Sequence, residues 1–197
     1  GADQSHDAHF LRRAGDLYGN FQLRRVYYSA FSPIPDSSIR LPLKSPPLVR
    51  EHRLYQADWL MRFYGYKVDE ITTKSQPNLD LDIDPKLSWA LRNRDFFPID
   101  LNKADYEVIL RIPGLGVRNA KRIITARRFH HIRVNDLIKM RVNLKKCLPF
   151  MITGDHRPAS LELDSEKIRA LHAPPAHQLE LNFSAPIPKS EVIGGEF

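Results

Sequence analysis

Between residues 110 and 123 the chain reads LRIPGLGVRNAKRI, and this stretch limits the fold more than any other. Helical spacing resumes from Lys103, breaks at Pro113 to Gly116, and returns up to Arg127 or Arg128. Pro113 ends the first helix, because proline cannot donate into the ladder and pushes the residue before it toward extended geometry. Gly114 and Gly116 admit positive φ and remove side chains that would bar a close approach. Leu115 is the expected apolar pin between the two helices, and Ala120 is small enough to let them pack closely. The second helix, starting near Val117, leaves its first N–H groups unpaired, and those groups with the helix dipole favour an anion. Gly114, Leu115, Gly116, Val117, Arg118, Asn119, Lys121 and Arg122 therefore form the candidate contact set. The rival reading is a plain connector between two core helices.

Charge weighs between the two. The chain carries a formal net charge of +7 over 197 residues, and a basic balance points to an anionic partner. Between Asp100 and Phe150 twelve Lys and Arg face four Asp and Glu, so the surplus gathers around the two glycines. Preceded by DLNKADYEVIL, with its Asn102-x-Ala104 helix start, the PGLG turn resembles the helix-hairpin-helix motif of non-sequence-specific DNA-binding proteins. RVNDLIKMRVNLKKCLPFM looks like a degenerate second copy, with MRVNL standing where the glycine turn should be. The resemblance implies a mainly α fold, a tandem helix-hairpin-helix unit, and DNA, duplex or branched, as partner. DNA glycosylases share this hairpin and, in their bifunctional members, place a catalytic Lys two residues past the second Gly. Here that position is Arg118, whose guanidinium stays protonated and cannot act as an amine nucleophile. Asp136 lies at about the spacing of the glycosylase aspartate, but it more simply caps the next helix. No catalytic residue is assigned.

The remaining chain is expected to surround this unit with helices. A helix is expected from His6 to Gly19, with Asp7 as N-cap, and QLRRVYYSAF (22–31) reads as a strand with no evident partner. RLPLKSPP (40–47) is a proline-punctuated linker. LVREHRLYQADWLMRFYG is a strong helix stopped by Gly65, with Leu54, Trp59, Leu60 and Phe63 expected to pack on one face. In NLDLDIDPKL the spaced aspartates 80, 82 and 84 do not make a calcium loop, because Pro85 and Leu91 stand where Gly and Glu are needed. Asp84 instead caps a helix starting at Pro85. Short helices are expected over 134–139, 144–151 and about 165–171, before a polar tail. His6 and His9 share a face but lack further metal ligands, so no metal site is assigned. Tyr27, Tyr28 and Ser29 are expected to pack against a neighbouring sheet. Cys147 is the sole cysteine, which excludes an intrachain disulfide and favours a reducing, cytoplasmic setting. No apolar run reaches membrane-spanning length, and a monomer is expected.

LYGNFQLRRVYYSAFSPIP, REHRLYQADWLMRFYGY and LDLDIDPKLSWALRNRDFFPIDLNKAD resemble the DNA modification/repair radical SAM protein family. That resemblance implies a partial TIM-like barrel carrying a [4Fe–4S] cluster and S-adenosylmethionine on a CxxxCxxC run, which this chain lacks, so no cofactor is assigned to it. The chain is expected to be the C-terminal part of such a protein. Residues 1–39 would be a small αβ remnant of the barrel, 40–99 a linker and helical segment, 100–152 the DNA-binding domain and 153–197 the tail. QLELNF resembles the peptide with which bacterial replication and repair proteins dock on the sliding clamp, through Gln178, Leu179, Leu181 and Phe183. The other reading of the whole chain is a protein-docking module that does not touch DNA.

Overall fold

In the computed structural model the described residues are residue 3, residues 5–34, residue 41, residues 45–159 and residues 164–174. The QLELNF peptide, with Gln178, Leu179, Leu181 and Phe183, lies outside them. The fold is mainly helical: α1 (Asp7–Phe21), α2 (Leu48–Tyr64), α3 (Val68–Ile71), α4 (Pro85–Arg92), α5 (Tyr106–Ile109), α6 (Val117–Ala126), α7 (Val134–Lys139), α8 (Leu144–Cys147) and α9 (Ser165–His172). Two short strands, β1 (Ile99–Asp100) and β2 (Met151–Ile152), pair in parallel with Ile99 opposite Met151. One hydrophobic cluster reaches from Leu11 in α1 to Ile168 in α9.

Local signals set most of the boundaries. Asp84 accepts from the Leu87 N–H at 3.0 Å, and Pro85 supplies the pre-set φ of a first helical residue, so α4 starts as expected. Gly65 ends α2 with φ 69°, a conformation that costs a residue with a Cβ about 1–2 kcal/mol. Asp164 caps α9 through the Glu166 and Lys167 N–H groups. The first helix departs from expectation at both ends. Its N-cap is His6, and Asp7 is a buried first-turn residue whose carboxylate accepts from Arg50 Nε at 2.7 Å and Leu79 N at 2.9 Å. It runs past Gly19 to Phe21, and Gln22 closes it with φ 53°.

The expected strand over 22–31 carries no strand pairing in the structure. It lies extended along α2, which supplies hydrogen-bond partners in place of a sheet. Tyr55 Oη accepts from Tyr28 N and donates to Tyr28 O, both at 3.0 Å, and Glu51 accepts from Ala30 N at 3.0 Å. Asp58, fully buried, ties the layers together: it accepts from Tyr18 Oη on α1, from Tyr28 Oη, and from Arg62 Nε one turn along α2. Tyr28 thus packs on a helix rather than a sheet. Asp80 and Asp82 both pair with Arg169 of α9, and Asp84 pairs with Lys146 of α8, so each of the three carboxylates faces a cation. His6 and His9 are exposed, with ring centroids 5.8 Å apart.

One expectation about α2 fails. Leu54 and Leu60 enter the core, but Trp59 is 57% exposed and Phe63 48% exposed. Their rings stand 5.5 Å apart on the outer face, with Arg62 over Phe63 at 4.9 Å.

Candidate nucleic-acid interface

The segment that joins α5 to α6 is a tight turn. Leu115 N donates to Ile112 O at 3.2 Å, with Pro113 second and Gly114 third at φ 80°, the arrangement of a type II turn. Leu115 and Ala120 are both buried, as the pin and the close contact require. The two glycines have different reasons. A Cβ on Gly114 would stand 2.8 Å from Cys147 Sγ and 3.0 Å from Lys146 Cβ, so Gly114 is needed for both its φ and its contact with α8. Gly116 has φ −99°, which any residue adopts, and its would-be Cβ meets only Tyr64 Oη, at 3.5 Å. Positive φ is therefore not its role. It lets the Tyr64 hydroxyl lie against the start of α6, where it meets the Val117 N–H.

Twenty-seven residues on, the chain repeats part of this geometry without its glycines, with Val142 N donating to Leu137 O where Leu115 N donates to Ile112 O. Arg141 takes φ 57° where the first copy has Gly114. Val142 is buried like Leu115, and Cys147 is fully buried like Ala120. Cys147 N donates to Asn143 O as Ala120 N donates to Gly116 O. Asn102 stitches the two halves: its amide accepts from Ile132 N at 2.7 Å and donates to Ile132 O at 3.3 Å. Asp136, with its carboxyl held below the usual range by the Arg133 N–H and by His130 beside it, steadies the start of α7, and Asp155 caps the Val134 N–H. The β1–β2 pair closes the unit, bringing residue 99 against residue 151.

The two turns lie side by side, and between them is a cleft of about 370 Å³ walled by Gly116, Arg118, Asn119, Arg122, Lys139 and Arg141. Arg122 spans it, donating to Met140 O at 3.2 Å. Arg118, Lys121, Lys139 and Arg141 are exposed, and among the described residues no carboxylate pairs with any of them. Other cations of the basic segment are committed elsewhere. Arg127 donates to Leu101 O and Ala104 O, Arg111 pairs with Glu70 at 2.7 Å, and Lys146 pairs with Asp84. The predicted contact residues thus divide. Arg118, Asn119 and Arg122 meet at the cleft with Gly116, and Lys121 stands exposed on the same helix. Leu115 faces the core, and the Val117 N–H, expected to point outward, meets the Tyr64 hydroxyl.

Comparison of the chain with protein-family models, curated proteins and solved structures finds no match. Among the described residues no group of three or more His, Cys, Asp or Glu could hold a metal ion, and no helix is long and apolar enough to cross a membrane.

One residue was missed by the reading of the sequence. Lys86, at the second position of α4, is only 7% exposed and donates to Leu115 O at 2.6 Å, with Nζ 4.7 Å above the Tyr64 ring. Among the described residues no carboxylate forms an ion pair with it. Burial pushes its amine down to about 7 and pushes the neighbouring Cys147 thiol up to about 12. Lys86 also lines a larger cleft of about 460 Å³ between α2 and the turn, which reaches Trp59, Tyr64, Lys146, Gly114 and Gly116. The sequence signal for it is slight: a lysine between a capping Asp-Pro pair and an apolar run.

Proposed function

We propose that this chain binds DNA through the phosphate backbone, without reading base sequence, and that residues 100–152 act as a tandem helix-hairpin-helix unit. The observation that carries this is the cleft between the two turns, ringed by cations that pair with no carboxylate among the described residues. Exposed cations are ordinarily dispersed among acids. Here Arg118, Lys139 and Arg141 converge on one site from α6, α7 and the second turn, next to the start of α6. Such a surface suits a polyanion with regularly spaced charges. Gly116 lets a phosphate approach the start of α6, and the flanking arginines and lysine take neighbouring phosphates. Membership of the radical SAM DNA modification/repair proteins, with this chain as their DNA-targeting part, rests on the sequence resemblance, and docking of the tail on a sliding clamp rests on the QLELNF peptide.

The test is duplex binding by fluorescence anisotropy across a salt series. Affinity should fall steeply with salt and hardly vary with sequence. Arg118→Ala with Lys139→Ala should lower affinity about tenfold or more and flatten the salt slope by about two charges, with circular dichroism unchanged. Affinity and salt slope equal to the parent's would sink the reading. Failure of the intact chain to bind any duplex, branched or single-stranded DNA would favour the docking module.

A further inference from the structure

We infer that the 460 Å³ cleft between α2 and the turn receives an unpaired nucleobase of the same DNA whose phosphates the basic cleft holds, so that the preferred substrate contains a base outside the duplex stack. This rests on the DNA-binding reading above and specifies its substrate. Gly116 lines both clefts. A strand whose phosphate sits at the start of α6 can therefore turn the attached base to the other side of the same residue. The walls have the chemistry of base recognition. Trp59 presents an exposed ring with Phe63 beside it, and Tyr64 closes the far side. Aromatic faces of this kind stack bases of any identity. On the polar side stand Asp84 paired with Lys146, the Gln56 amide, whose Oε1 accepts from Arg53 at 2.9 Å and whose NH2 can donate, and the buried Lys86 Nζ, which donates to Leu115 O. A volume of about 460 Å³ lies within the range that small-ligand sites occupy.

A buried amine with no ion-pair partner among the described residues and an exposed tryptophan both oppose folding economy, and here they border one cavity, which Asp84, paired with Lys146, also lines. A surface for a protein partner would account for Trp59 and Phe63. It would not account for a lysine held at the cavity floor beside the phosphate-facing turn. Extrusion of a base from intact duplex costs unstacking and unpairing energy, so a site of this kind selects DNA in which the base is already free.

The experiment compares an intact duplex with the same duplex carrying one unpaired 2-aminopurine, read by anisotropy and by the probe's own fluorescence. The chain should bind the second about tenfold more tightly, in line with one base–aromatic stack, and quench the probe. Trp59→Ala should remove both the preference and the quenching while leaving affinity for intact duplex unchanged. Trp59→Phe should retain most of each. Trp59 is largely exposed, so these variants should fold. Equal affinity for the two duplexes, or a preference that survives Trp59→Ala, would overturn the inference. If intact duplex is still bound, the phosphate-binding reading survives that failure. Loss of binding to both duplexes on Arg118→Ala with Lys139→Ala would identify the shared phosphate contact.

Discussion

Lys86 Nζ reaches across 29 residues of sequence to donate to the Leu115 carbonyl at 2.6 Å, so the N-terminus of α4 holds the turn between α5 and α6 from beneath. The carbonyl belongs to the turn's buried pin, and the amine is itself almost wholly out of water. Turn and support are thus one unit, and a change at either is felt at the other.

The Lys86 amine gives the fold a pH signature. Its pKa falls from 10.5 in the unfolded chain to about 7 in the fold, so between those values the unfolded chain binds more protons. Stability should therefore rise as pH increases from 7, with a slope approaching about 1.4 kcal/mol per unit. Above pH 9 the Cys147 thiol, raised from 9.0 to about 12, acts in the opposite sense, because the unfolded chain then holds fewer protons. The rise should therefore show between pH 7 and 9 and level off beyond. Urea unfolding of Lys86→Met should lose the rise, and an unchanged pH profile would mean that Lys86 stays protonated in the fold.

The glycines should separate in a mutational test. Gly114→Ala meets both a positive φ and overlap with Cys147 Sγ, and should destabilise by about 2–4 kcal/mol. Gly116→Ala has an ordinary φ and an ordinary contact, and should cost within about 1 kcal/mol. Denaturant midpoints check both. Binding lost on Gly114→Ala alone would report on folding as much as on contact, so Gly116→Val in DNA binding is the more direct probe of close approach.

Arg141 holds a left-handed conformation that favours glycine. Arg141→Gly should leave stability unchanged or raise it by up to about 1 kcal/mol, the relieved strain being partly offset by glycine's greater freedom when unfolded. The same variant should weaken DNA binding, whereas Arg141→Lys should keep the charge and most of the affinity. Thermal melts set beside anisotropy would show the two properties moving apart.

Asp58 is buried under α1 and the 22–31 segment with Arg62, Tyr18 and Tyr28 around it. Asp58→Ala should destabilise by about 3 kcal/mol, since it leaves a guanidinium and two hydroxyls short of their acceptor. Asp58→Ala combined with Arg62→Ala should cost less than the sum of the single changes. Strict additivity in that cycle would show that the pair is not coupled.

Most helix boundaries and the tight turn were legible by residue type. Pro113, Gly114, Asp84-Pro85, Gly65 and Asp164 act on the backbone within three or four residues, and such local sterics and caps operate in any tertiary setting. Hence α2, α4, α6, α7 and α9 lie where their signals place them, and the second turn keeps the positive φ of the first although Arg141 replaces a glycine. The surplus charge around residues 110–146 was equally legible. Tertiary structure decided the rest. Val26, Tyr27 and Tyr28 have strand propensity but no strand beside them, so the Val26 N–H donates to Tyr18 of α1 and Tyr28 bonds to Tyr55 of α2. Helical periodicity put Trp59 and Phe63 on an apolar stripe, yet which part of a stripe is covered depends on where α1 and α4 dock. Arg111, Arg127 and Lys146 add to the sequence's positive charge but are used internally, while Arg118, Lys139 and Arg141 are exposed and without an ion pair among the described residues. Lys86 gave almost no local signal, because its significance comes from partners such as Leu115 and Cys147 that only folding brings within reach.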